Sequence, residues 1–485
     1  MGWITLILCN LSWQELILAC KRLSISSNQE GENNAQKTVT PKKLSFMSIY
    51  FLGINGVIGS GAFLIPQTIY KDMNLMSVFI TICAALTVSM VTLCYADLSS
   101  RFTGSGAAWL YSYHAFGRFT GYELGIYTWF LGCCTYAAEI VALLTILKTL
   151  SPVFSNHAVY YGIAIGIIVL IVLFTIINLF GRTIVKLVDN LSSAAKMITI
   201  LIFIIIGAFF IHKMNFTPVI PKAATLGVGP YFKHFGAAFS VVFYMFTGFS
   251  FIPIAAKQMN NPEKNIPKVL ITVMITVTIL YALMMLVAIG ILGSKMVNYS
   301  TPIAVAFQKA VGDWGYVLVI AGMLISVIGV AFAGSFNTPS LIASLANEHA
   351  MLPKWIGKKN KHDAAWVAIL LSAIITMILI TQSYLFLVSC IVLASFIQYV
   401  PSILAVIKFK HTNEFPNNGF KLPFGYVIPA LALIISCYMG TNFTWKTILV
   451  GVVVGVLAAV AYFFIEKDEK VEEKHQKYLS KMRNK

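Results

Sequence analysis

Apolar runs about twenty residues long recur along this chain and restrict its fold more than any other feature. A helix needs about 20 predominantly apolar residues to cross a hydrocarbon core of roughly 30 Å. Runs that meet or approach this lie at 44–68, 73–98, 119–149, 159–180, 187–212, 231–257, 266–292, 315–346, 364–382, 384–409, 424–441 and 445–465. They predict an all-α polytopic membrane protein with about 12 transmembrane helices, numbered here as spans 1 to 12. Composition agrees: 58% of the 485 residues are hydrophobic and only 11% charged, where a soluble chain has about a quarter charged. With a mean hydropathy of +0.81, lipid takes the place of a polar surface.

The formal charge of +17 does not point to nucleic acid, because a phosphate-binding face needs clustered Lys and Arg. Here they fall mostly in the short breaks between runs, where they orient the protein in the bilayer. With both termini placed in the cytoplasm, about 26 lie on the inside and about 8 on the outside, and Lys196 falls within span 5. The expected location is the cell membrane.

The eight cysteines include Cys83, Cys94, Cys133, Cys134, Cys390 and Cys437, with no CxxC pair. They read as small buried hydrophobes, and neither a metal nor a cofactor is expected. Residues 1–41 read as an N-terminal tail in which the apolar 1–20, interrupted by Glu15, suits an interfacial helix. Residues 466–485 read as a charged cytoplasmic tail.

Two spans are interrupted. Span 1 contains Gly53-Ile54-Asn55-Gly56-Val57-Ile58-Gly59-Ser60-Gly61, followed by Pro66. Exposed backbone at membrane depth is tolerated only where it lines a cavity or is buried in protein. Free N–H groups at the start of a half-helix suit a carboxylate; close packing of helices through small residues is the alternative. Span 6 has a second interruption, Tyr244-Met245-Phe246-Thr247-Gly248-Phe249-Ser250-Phe251-Ile252-Pro253. Breaks five spans apart are what an inverted five-helix repeat gives.

At these residues the sequence resembles the amino acid–polyamine–organocation permeases, over roughly 42–465. Gly56-Val57-Ile58-Gly59-Ser60-Gly61-Ala62-Phe63 is similar to the family's G-x-I-G-[SA]-G-I-F pattern, with Ala62 in place of a branched residue. Gly104-Ser105-Gly106-Ala107-Ala108-Trp109-Leu110-Tyr111, continuing to Phe116-Gly117, resembles the loop after the second span. Phe246-Thr247-Gly248-Phe249 running to Asn261-Pro262-Glu263-Lys264-Asn265-Ile266-Pro267, and the stretch Leu345 to Pro353, carry the rest. Ser250 stands where many members have an acidic residue, and Lys257-Gln258 where they often have a Glu pair.

The resemblance implies a leucine-transporter-like fold: 42–212 as the first five-helix repeat, 213–422 as the second, and 423–465 as two peripheral spans. It also implies an amino acid, or a close relative, as substrate. The backbone of Ile58, Gly59, Ser60 and Gly61 then receives the carboxylate. Carbonyls near Gly56 and along Phe246, Thr247, Gly248 and Phe249 receive the amino group. Tyr244 or Phe246 is the candidate aromatic gate, with plain packing as the alternative.

An ionisable residue at bilayer depth is a functional candidate by default. Lys196 coincides with a lysine of many members of the resembling family, whose ammonium lies near the sodium position of sodium-coupled relatives. This implies a coupling residue that makes sodium unnecessary, with a proton as candidate co-substrate; snorkelling to the cytoplasmic face is the other reading. Glu139, central in span 3, either selects a cationic substrate, takes part in proton transfer or bonds another helix. Asp97, Glu123 and Asp189 lie near span ends and read as structural or gate-lining. Secondary transport, proton-coupled or exchanging, is therefore expected, with an amino acid/amine antiporter as alternative. A membrane-embedded enzyme lacks its catalytic motif here, and a channel its selectivity filter.

Overall fold

The structure, a computed structural model, describes residues 44–466 apart from 105, 177–180, 220, 226, 348–350, 362–363, 413–414 and 418. The expectations for the N-terminal tail, its interfacial helix, and the tail after residue 466 lie outside the described residues. The described residues from Ser45 to Glu466 form one compact unit.

Every one of the twelve apolar runs carries helix. Span 1 is three pieces, α1 (Phe46–Val57), α2 (Gly61–Leu64) and α3 (Pro66–Met73). Spans 2 to 5 are α4 (Met76–Arg101), α6 (Arg118–Leu150), α7 (His157–Ile176) and α8 (Gly181–Gly207), with α5 (Ala107–Phe116) between α4 and α6. Span 6 is α9 (Val228–Met245) and a 3-10 segment, Phe249–Gln258. Then follow α10 (Pro262–Leu292), α11 (Pro302–Val311), α12 (Asp313–Asn347), α13 (Trp366–Leu379), α14 (Tyr384–Thr412), α15 (Val427–Gly440) and α16 (Trp445–Glu466). Eight described helical stretches are long and apolar enough to cross a membrane, and four shorter ones are apolar. The protein is a multi-pass, all-α membrane protein.

Three details differ from the expectation. The stretch after span 2 is helical rather than a loop: α5 begins behind Gly106, ends at Gly117 with φ +95°, and buries Trp109 and Tyr111. A short helix, α11, lies between spans 7 and 8, where no span was expected. Span 11 begins late, because Phe424 and Gly425 take positive φ values of 55° and 60° that no right-handed helix admits.

The 33-residue α6 is the central strut, with α12, α14 and α5 packed along it. On the other side α10 packs on α4, while α8 lies against α12 and α1. This arrangement sets the broken ends of spans 1 and 6 side by side, between α6, α8, α10 and α12.

Candidate functional site

The first break opens after Val57. Ile58 leaves helical geometry at φ −84°, ψ 92°, and helix resumes at Gly61. Carbonyls that would have continued the ladder are claimed by side chains. Tyr281 of α10 donates its hydroxyl to the Val57 carbonyl (3.2 Å), and Ser326 of α12 donates to that of Ile58 (3.4 Å). Lys196 donates to the Ile58 carbonyl at 2.6 Å and to Asn55 Oδ1 at 2.6 Å. Its side chain is fully buried, so it does not snorkel to the surface.

On the far side of the break, the Ser60 amide donates to both oxygens of the Glu139 carboxylate, at 3.2 and 3.3 Å, and the Ser60 hydroxyl donates to Oε1 at 3.0 Å. The contact leaves no room for a side chain at Gly59, where a Cβ would meet Glu139 Oε1 at 2.6 Å. Helix starts carry unpaired N–H groups and partial positive charge. That explains why a carboxylate 1% exposed settles here.

The second break is at Gly248, whose φ of +99° is left-handed backbone that glycine adopts without penalty. A Cβ there would lie 2.2 Å from the Gly56 carbonyl oxygen, so the two breaks touch backbone to backbone. Although Asn55 and Val57 on either side are buried, Gly56 itself is exposed, and Gly59 and Gly248 are partly so. Backbone is therefore exposed where the two breaks meet. Thr247 turns its hydroxyl to the Tyr244 carbonyl (2.7 Å).

The gate candidates take different places. Tyr244 covers Gly61, whose Cβ would meet its ring at 2.8 Å, and stands edge-on to Tyr384 with centroids 6.4 Å apart. Tyr384 in turn shares a 2.9 Å hydrogen bond with the Ser60 hydroxyl. Phe246 is buried against Tyr281 (5.2 Å), a packing position, and Phe249 packs on Tyr95 and Tyr399 (5.4 and 5.3 Å).

The sequence reading did not single out Asn55, Tyr281, Ser326 or Tyr384. A buried Asn beside a glycine-rich break was a usable signal; two tyrosines and a serine on other spans carry none. Asp189, read as a span-end residue, is buried and accepts a hydrogen bond from the Asn55 amide. Among the described residues no group of His, Cys, Asp and Glu is arranged to hold a metal ion.

Paired broken spans that meet beside buried charged side chains are the architecture of membrane transport proteins built on discontinuous helices. The chain belongs to the amino acid permease family, whose model matches residues 44–475. It is similar to an uncharacterized transporter of Mycobacterium tuberculosis, 26% identical over 440 residues, which are 84% of this chain and 88% of that protein. The branched-chain amino acid permease BcaP of Bacillus subtilis (strain 168) is 23% identical over 458 residues, 88% of this chain and 93% of that protein. A cationic amino acid transporter of Arabidopsis thaliana, number 9, chloroplastic, is 24% identical over 352 residues, 69% of this chain and 60% of that protein.

Proposed function

We propose that this chain is a secondary active transporter that moves an amino acid across the cell membrane by alternating access, sodium-independent and driven by protons or by exchange. The observation that carries the reading is the meeting of the two breaks at Gly56 and Gly248, each inside an apolar run, with the Gly56 backbone exposed. A zwitterion offers the complement to such backbone: its carboxylate suits the stretch Ile58, Gly59, Ser60 and Gly61, where it would compete with the Ile54 and Val57 carbonyls and the Glu139 carboxylate for the first three N–H groups, and its ammonium suits the carbonyls near Gly56 and Phe246. Breaks five spans apart support an inverted repeat of spans 1–5 and 6–10. The Lys/Arg bias supports cytoplasmic termini.

Lys196 is the coupling candidate, because its ammonium already occupies the carbonyl of Ile58 beside the break. A fixed cation there leaves no need for a bound sodium ion. The direct test is uptake of a labelled amino-acid panel by the reconstituted protein, with and without a pH gradient and sodium. Uptake that follows the pH gradient or a preloaded amino acid, without sodium, is expected. Absence of uptake of every member would overturn the transport reading, and strict sodium dependence the role of Lys196.

A second reading, exchange of an amino acid for an amine, is favoured by Glu139. Glu139 and Asp189 together outnumber Lys196 in this buried cluster, which leaves a carboxylate to meet a cation. Counterflow from vesicles preloaded with amines separates the two readings.

A further inference from the structure

Lys196 and Asp189 stand seven residues apart on α8, two turns along one face. The Asn55 side chain, from the last turn of α1, is inserted between them. Its oxygen accepts from the Lys196 ammonium at 2.6 Å and from the Ser192 hydroxyl at 3.4 Å, and its nitrogen donates to Asp189 Oδ1. Asn55, Asp189 and Lys196 are all buried.

An amide has one accepting and one donating end, an ammonium only donates, and a carboxylate only accepts. Turned over, the Asn55 amide would set N–H against ammonium and oxygen against carboxylate. Asp189 therefore fixes the one orientation in which Asn55 can hold Lys196. The ammonium's contacts join the last turn of α1, at the Asn55 side chain and carbonyl, to the Ile58 carbonyl at the start of the break.

We propose that Asp189 and Asn55 are positioning residues for Lys196, holding its ammonium at the start of the span 1 break by orienting a single side-chain amide. This role rests on the reading of Lys196 as the coupling residue. The charged groups facing Lys196 are Asp189 on its own helix and Glu139 from α6. The hydroxyls of Tyr281 from α10 and Ser326 from α12 reach the same stretch of backbone, at Val57 and Ile58. Loss of the oriented amide leaves the ammonium only the backbone carbonyls of Asn55 and Ile58.

The experiment compares Asp189→Leu, Asp189→Asn, Asn55→Ala, Lys196→Ala and Asp189→Leu/Lys196→Ala in proteoliposomes. Uptake is measured across a pH series, alongside the melting temperature of each purified protein. Misplacement of a working group lowers rates by about 10- to 100-fold, so Asp189→Leu and Asn55→Ala are each expected to lose about tenfold in pH-driven uptake. Both are also expected to move the midpoint of the pH profile by about one unit. Asp189→Asn keeps an acceptor for the Asn55 amide and is expected to stay within about threefold of the parent. In the Lys196→Ala background, Asp189→Leu is expected to add less than about twofold, since residues acting as a unit are not additive.

Should Asp189→Leu fail to fold, Asn55→Ala reads the same link. Lower uptake with an unmoved pH profile, or losses that multiply in the double variant, overturns the proposal. A parental pH profile in Lys196→Ala instead removes the underlying reading of Lys196.

Discussion

Glu139 of span 3 turns its carboxylate onto the backbone of Ser60, 3.2 Å from the amide nitrogen and 3.0 Å from the hydroxyl. The N–H group that a substrate carboxylate is expected to use is thus engaged by a carboxylate of the protein. Two like charges on one donor repel, so a carboxylate substrate and a proton on Glu139 favour each other's binding.

Half-saturating amino-acid concentration is therefore expected to fall as pH is lowered. In Glu139→Gln, which is always neutral, this pH dependence should flatten. The check is KM for one transported amino acid at several pH values in both proteins. The same variant should lower the preference for lysine and arginine over neutral amino acids; an unchanged preference removes the selection role of Glu139.

Gly248→Ala is expected to abolish uptake. A side chain at a φ of +99° strains the backbone by about 1–3 kcal/mol, and its Cβ would collide with the Gly56 carbonyl at 2.2 Å. Gly229→Ala, in α9 with open space around its Cα, is the control and should transport within about twofold of the parent, since exposed helix positions tolerate alanine. Measured uptake and melting temperature of the pair separate a local collision from general damage.

Asp97, near the C-terminal end of span 2, accepts from Arg101 Nε at 2.9 Å and from Asn417 at 2.8 Å, and Arg101 also donates to the Phe415 carbonyl. Both charged side chains are nearly buried. Loss of one partner of such a pair leaves a buried charge uncompensated, at roughly 3–5 kcal/mol. Arg101→Met is expected to lower the melting temperature in detergent clearly more than Lys295→Met, a surface control on the segment before α11.

His114 on α5, outside the spans, stacks on Phe102 at 4.8 Å and meets Phe415 edge-on at 5.2 Å. Burial pushes its imidazole down to about 4. A folded-state value below the unfolded value of about 6.5 means that the unfolded chain binds more protons between them. The resulting stability is full above about pH 6.5 and is lost as pH falls toward 4, amounting to roughly 1–3 kcal/mol after solvent screening. His114→Phe should remove that part of the melting-temperature slope between pH 4 and 6.5; an identical slope in both proteins would falsify it.

The chain's own residues determined that it is a bundle of about twelve membrane helices, because crossing lipid demands long apolar runs and leaves no other structure. They also located the two interruptions, since glycines and Pro66 or Pro253 withdraw the local support a helix needs. Lys196 and Glu139 were visible because a charge amid apolar residues is rare. Only the tertiary structure decided what those charges touch: Lys196 holds Asn55 and the Ile58 carbonyl at the start of the break, and Glu139 takes the Ser60 amide. It also brought in Tyr384, Tyr281 and Ser326, from helices more than 200 residues away in sequence. Local sequence sets where a helix can fail, whereas the partner of each freed backbone group depends on which distant side chains the packing brings within about 3 Å.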